Sequence, residues 1–93
     1  MQNKGFETHI TLNLPLEREL EAEKIAKDWK WKTSSIKDDP ILGPGLKFYF
    51  TRHDVTYDDA YYRMQQMHVI LDTKDFKVIR KKIEEIVFDE VIV

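Results

Sequence analysis

Residues 6–14 carry a two-residue alternation: Phe6, Ile10, Leu12 and Leu14 fall on one face of an extended chain, and Glu7, His9, Thr11 and Asn13 on the other. A period of two demands a strand with one face buried, so other strands must pair with it and something must cover its apolar side. With 93 residues there is one hydrophobic core and one domain, spanning 1–93.

The following segments supply the cover. Pro15 opens a helix with Glu17, Glu19 and Glu21 near its start, where acidic side chains suit the positive end of the helix dipole. This helix should run to about Asp28 with Ala22, Ile25, Ala26 and Trp29 facing inward and Leu16 and Leu20 less well aligned. Trp29 to Ile36 alternates large apolar and basic residues, a strand pattern. Lys37 to Gly45 holds two of the three prolines and two of the three glycines and reads as a loop. Leu46 to His53 is the next strand, with Leu46, Phe48 and Phe50 inward and Lys47, Tyr49, Thr51 and His53 outward. Thr56 with Asp59 forms a helix-starting pair, and Tyr57, Ala60, Tyr61, Met64, Met67, His68 and Leu71 share one stripe of a helix that ends near Asp72 to Lys74.

From Phe76 onward two patterns compete. Val78 to Glu84 reads as a charged strand with Ile79 and Ile83 inward, while Phe76, Ile79, Ile83 and Ile86 also fit a third helix over 75–87, followed by a strand at Phe88–Val93. A strand completes a β-α-β-β-α-β order and puts both helices on one sheet, so the expected class is α+β, a ferredoxin-like sandwich with an antiparallel sheet in the order fourth, first, third, second.

Composition narrows the function classes. The net charge of −2 disfavours coating nucleic acid through charge alone, and no apolar run reaches the length of a membrane span, so no membrane partner is expected. Met1-Gln2-Asn3-Lys4-Gly5 leads straight into the strand pattern, predicting no secretory leader and a cytoplasmic location. The absence of cysteine excludes disulfides, thiolate catalysis and cysteine-ligated metals. A three-histidine zinc site would need His68 on the same side as His9 and His53, which the predicted faces forbid; no metal and no cofactor are expected.

In that topology the uncovered sheet face gathers residues far apart in sequence. His9 and Thr11 lie on the first strand, Tyr49, Thr51 and His53 on its neighbour, and Arg80, Lys82 and Glu84 on the other side. This content suits a phosphorylated small molecule or an RNA end: Arg80 and Lys82 offset phosphate charge, Thr11 and Thr51 hold its oxygens, and Tyr49 and Glu84 complete the ligand-binding set. If turnover occurs, His9 and His53 serve as base and acid. The same residues also suit an ordinary hydrated sheet face. The alternative function is a non-enzymatic interaction module or homodimer, favoured by the β-prone, apolar end Phe88–Val93.

The stretch His9-Ile10-Thr11-Leu12 resembles the His-x-Thr-hydrophobic motif of the 2H phosphoesterases, which use two such motifs from two related lobes on cyclic phosphates and RNA ends. This chain is similar to one lobe; Thr51-Arg52-His53 carries the residues in reversed order. The resemblance implies phosphoesterase chemistry at His9 and Thr11. Thr8-His9-Ile10-Thr11, Trp31 to Ser34, Asp39 to Gly43, Tyr49 to His53 and Val78 to Glu84 together resemble a small family of uncharacterised bacterial and phage proteins, which implies the fold and no activity.

Overall fold

The computed structural model describes residues 3–87. They form β1 (Asn3–Asn13), a short 3-10 turn at Leu16–Arg18, α1 (Glu19–Asp28), β2 (Lys32–Asp39), β3 (Gly43–Asp54), α2 (Tyr57–Thr73) and β4 (Lys77–Val87). The four strands make one antiparallel sheet in the order β2-β3-β1-β4, as predicted. Residues 77–87 are strand, not helix; Phe88–Val93 lie outside the described residues. No helix among the described residues is long and apolar enough to cross a membrane.

Both helices cover one face of the sheet. Ile10, Leu12, Phe48 and Phe50 from the two central strands meet Ala22, Ile25 and Ala26 of α1 and Met64, Met67 and Leu71 of α2 in a single core. Each of the larger side chains contributes roughly 1.5–3 kcal/mol through burial. Thr56 caps α2 by accepting a hydrogen bond from the Asp59 amide at 3.1 Å, as its spacing predicts.

Both helices end in the same way. After α1, Lys30 takes a left-handed φ of 63° and the Trp31 amide reaches back to the Ala26 carbonyl at 2.8 Å; after α2, Asp75 takes φ of 61° and the Phe76 amide reaches Leu71 at 2.9 Å. Each reversal drives the following aromatic into the core, so Trp31 and Phe76 are buried. This corrects the expectation for Trp29, which sits at the helix end and stays 44% exposed. Tyr57 and Tyr61 also leave the predicted inward stripe: they are exposed, stacked on each other, with Tyr57 edge-on to Phe6.

The segment predicted as a nine-residue loop is mostly strand. Asp39 pairs with Gly43, leaving Pro40 to Leu42 as the turn. The Asp39 carboxylate accepts the Ile41 and Leu42 amides at 2.8 and 2.9 Å, Asp38 accepts the Gly45 amide at 2.8 Å, and Gly43 and Gly45 take the positive φ that the reversal needs. In β4, the register against β1 shifts between Thr11 and Leu12, so Val78 packs on the core beside Ile83 and Ile79 is displaced outward.

Candidate functional site

Residues paired across an antiparallel sheet share a face, so the strand registers define the uncovered surface. Lys32, Thr51, His9 and Lys82 form one row across all four strands; Ser34, Tyr49, Thr11 and Arg80 form the next. Glu7 pairs with His53 on one side and Glu84 on the other. All eight side chains that the sequence singles out therefore lie on the face opposite the helices.

His9 is held at both ring nitrogens. Its Nε2 lies 2.8 Å from Glu7 Oε1 and 3.2 Å from Glu84 Oε1, and its Nδ1 lies 3.2 Å from Thr51 Oγ1. Two carboxylates at Nε2 fix the proton there, which leaves Nδ1 to accept from the Thr51 hydroxyl. Glu84 also pairs with Lys82 at 3.1 Å. That hydrogen bond, then the Lys82 charge, outweigh desolvation and hold the Glu84 carboxyl below its ordinary value, with His9 adding to the effect.

Two depressions open beside this cluster. The first, about 200 Å³, is lined by His9, Thr11, Tyr49, Arg80, Lys82 and Glu84. Tyr49 donates its hydroxyl to Asp39 Oδ2 at 2.8 Å, and its phenol is pushed up to about 12, by desolvation first and then by that hydrogen bond and the Asp39 charge. The Arg80 guanidinium makes no hydrogen bond or ion pair among the described residues, although its charge acts on both Asp39 and Tyr49. Thr11 is buried between Tyr49 and Arg80 as the floor.

No family model, curated protein or solved structure matches this chain. What the site can do must be read from its own side chains.

The second depression, about 360 Å³, is lined by Glu7, Lys30, Lys32, Thr51, Arg52 and His53. Here the structure separates two residues that the sequence reading grouped. His53 shares the face of His9 but is its diagonal neighbour, roughly 7–8 Å away. Its Nε2–H donates to the Lys4 carbonyl at 2.8 Å. Gly5 makes room for that ring, since a Cβ there would come within 2.6 Å of both His53 Nε2 and the Asp54 carbonyl. His9 and His53 thus line different depressions, with Glu7 between them.

Glu7, Lys30, Lys32 and Asp39 were missed in the sequence. Glu7 had a signal, because a carboxylate two residues before a strand histidine shares its face. His68, on the other side of the sheet, is half-buried at the edge of the core and accepts from Lys81 Nζ at 2.9 Å. Among the described residues no group of three or more His, Cys, Asp or Glu side chains is arranged to hold a metal ion.

Proposed function

We infer that the protein binds a phosphate-bearing ligand, a nucleotide or an RNA end, in the depression between β3, β1 and β4. The observation that carries this reading is Arg80: a guanidinium with no hydrogen bond or ion pair among the described residues, at the rim of a cleft that also offers the Lys82 ammonium and the Thr11 hydroxyl. Guanidinium binds phosphate oxygens in a bidentate fork, and an ammonium beside it adds a point charge. Glu84 and Glu7 balance the site through His9 and Lys82, so an incoming phosphate meets Arg80 as its main uncompensated partner.

In this depression the same geometry favours binding over acid–base work by His9 and His53 as a pair. The two rings line different depressions, His9 with its Nδ1 on the Thr51 hydroxyl and His53 with its Nε2 on a backbone carbonyl. A general acid and base must both reach the reacting group.

Isothermal titration of nucleotides and cyclic phosphates against the wild type and an Arg80→Gln, Lys82→Gln double variant tests the reading. The wild type should bind with an affinity that falls as salt rises, and the double variant should lose binding while keeping its fold. No detectable binding to wild type at millimolar ligand would overturn it.

A further inference from the structure

Glu7, His9 and Thr51 form a chain of contacts, carboxylate to imidazole at 2.8 Å and imidazole to hydroxyl at 3.2 Å, on two adjacent strands. This is the arrangement in which a hydroxyl becomes a nucleophile: a carboxylate fixes the ring proton on one nitrogen, leaving the other to take the hydroxyl proton. The hydroxyl is also placed to meet a substrate. Thr51 lines the 360 Å³ depression, on the far side from the Arg80 cleft. We propose that Thr51 is a nucleophilic hydroxyl, with His9 as its general base, that accepts a phosphoryl group delivered into the basic depression beside it.

The surrounding charges select the electrophile. Lys32 is the direct cross-strand neighbour of Thr51, and Lys30 stands at the same cleft; neither side chain has a hydrogen-bond or ion-pair partner among the described residues. Arg52 holds the segment that carries Lys30, donating from Nη1 to the Trp29 and Lys30 carbonyls at 3.2 and 3.3 Å while its Nε pairs with Asp54. Phosphoryl transfer is served mainly by cations aimed at the oxygens on phosphorus. An acyl group would instead need backbone amides at the oxyanion, and those of β1 and β3 are committed to the sheet ladder.

The reaction balances with a phosphate ester as donor. Thr51 Oγ1 attacks phosphorus and its proton passes to His9 Nδ1, leaving an imidazolium between Thr51 and the two carboxylates. The bond from phosphorus to the leaving oxygen breaks, and that oxygen takes the proton from His9. Water then attacks the threonine phosphate, giving its proton to His9, which returns it to the departing Thr51 oxygen; the product is free phosphate.

Diisopropyl fluorophosphate probes the nucleophile without any bound ligand: the Thr51 oxygen–phosphorus bond forms, the phosphorus–fluorine bond breaks, fluoride leaves, and His9 takes the proton. Intact-mass and peptide mass spectrometry of the full chain should show one diisopropylphosphoryl group, on Thr51. Thr51→Ser should still label, and Thr51→Val and His9→Ala should not. In a second arm, release of nitrophenol from 4-nitrophenyl phosphate should fall at least tenfold in a Lys30→Gln, Lys32→Gln double variant. No label on wild type, a label elsewhere, or labelling of Thr51 that survives His9→Ala overturns the nucleophile. Nitrophenol release that is absent, or indifferent to both lysines, overturns the phosphoryl assignment. Because the label needs nothing in the Arg80 depression, its failure and a failure of ligand binding there are separate results.

Discussion

At the scale of single residues, the Asp39–Tyr49 contact joins the hairpin turn to the candidate ligand site. Asp39 accepts from the Leu42 amide, the Tyr49 hydroxyl and the Ile41 amide, in that order of influence, and these hold its carboxyl below 3.8. A depressed carboxylate contributes its stabilisation above the unfolded value and loses it as pH falls through the folded one. The Ile41 and Leu42 amides should therefore keep their chemical shifts from pH 7 down to about pH 4 and move only below that. Tyr49 is the opposite case: its neutral form is favoured, so its contribution is complete below pH 10 and lost as pH rises through about 12. Asp39→Asn removes the charge and should lower the Tyr49 ionisation, read from tyrosinate absorbance; an unchanged titration would mean that desolvation alone sets it. None of this was legible in the sequence, where Asp39 falls inside a segment that reads only as a loop.

At the scale of elements, the helix ends decide which aromatic enters the core. Lys30 and Asp75 occupy left-handed positions where glycine is the least strained residue. Replacing Asp75 by glycine should stabilise the protein by roughly 0.5–1 kcal/mol, seen as a higher urea midpoint with an unchanged slope. Arg18 holds that end from outside, donating to the Lys74 and Asp75 carbonyls at 2.8 and 3.0 Å while stacking over Phe76, and both carbonyls remain available in the variant. These reversals explain where the sequence reading succeeded and failed. Alternation in β1 and β3 identified the faces of His9, Thr11, Tyr49, Thr51 and His53, because side-chain period is fixed by backbone geometry. Trp29 was misread because helical periodicity continues smoothly through a residue whose successor has left the helix. Ile79 was misread because a bulge moves a side chain without leaving a local signature, and the bulge nonetheless keeps Arg80, Lys82 and Glu84 on the predicted face.

At the scale of the whole molecule, one layer of helices on one sheet gives extents of 43 × 30 × 19 Å and a single thin core. Few side chains carry it. Met67, 1% exposed beneath the central strands, should cost about 2–5 kcal/mol on replacement by alanine, a large share of the roughly 5–15 kcal/mol typical of a whole domain. His9→Ala, on the other face, should shift the urea midpoint far less; equal shifts would make His9 a structural residue. The side of the sheet that holds the core also carries Lys81, on the outermost strand β4, with its ammonium turned toward α2 and hydrogen-bonded to Gln65 Oε1 at 3.0 Å. Any foreign strand that zipped onto β4 would have to seal that ammonium away from water, a cost that guards the molecule against runaway aggregation. Lys81→Val removes the guard and leaves the fold an ordinary apolar side chain. Sedimentation velocity should then show concentration-dependent growth of large species in the variant and not in the wild type.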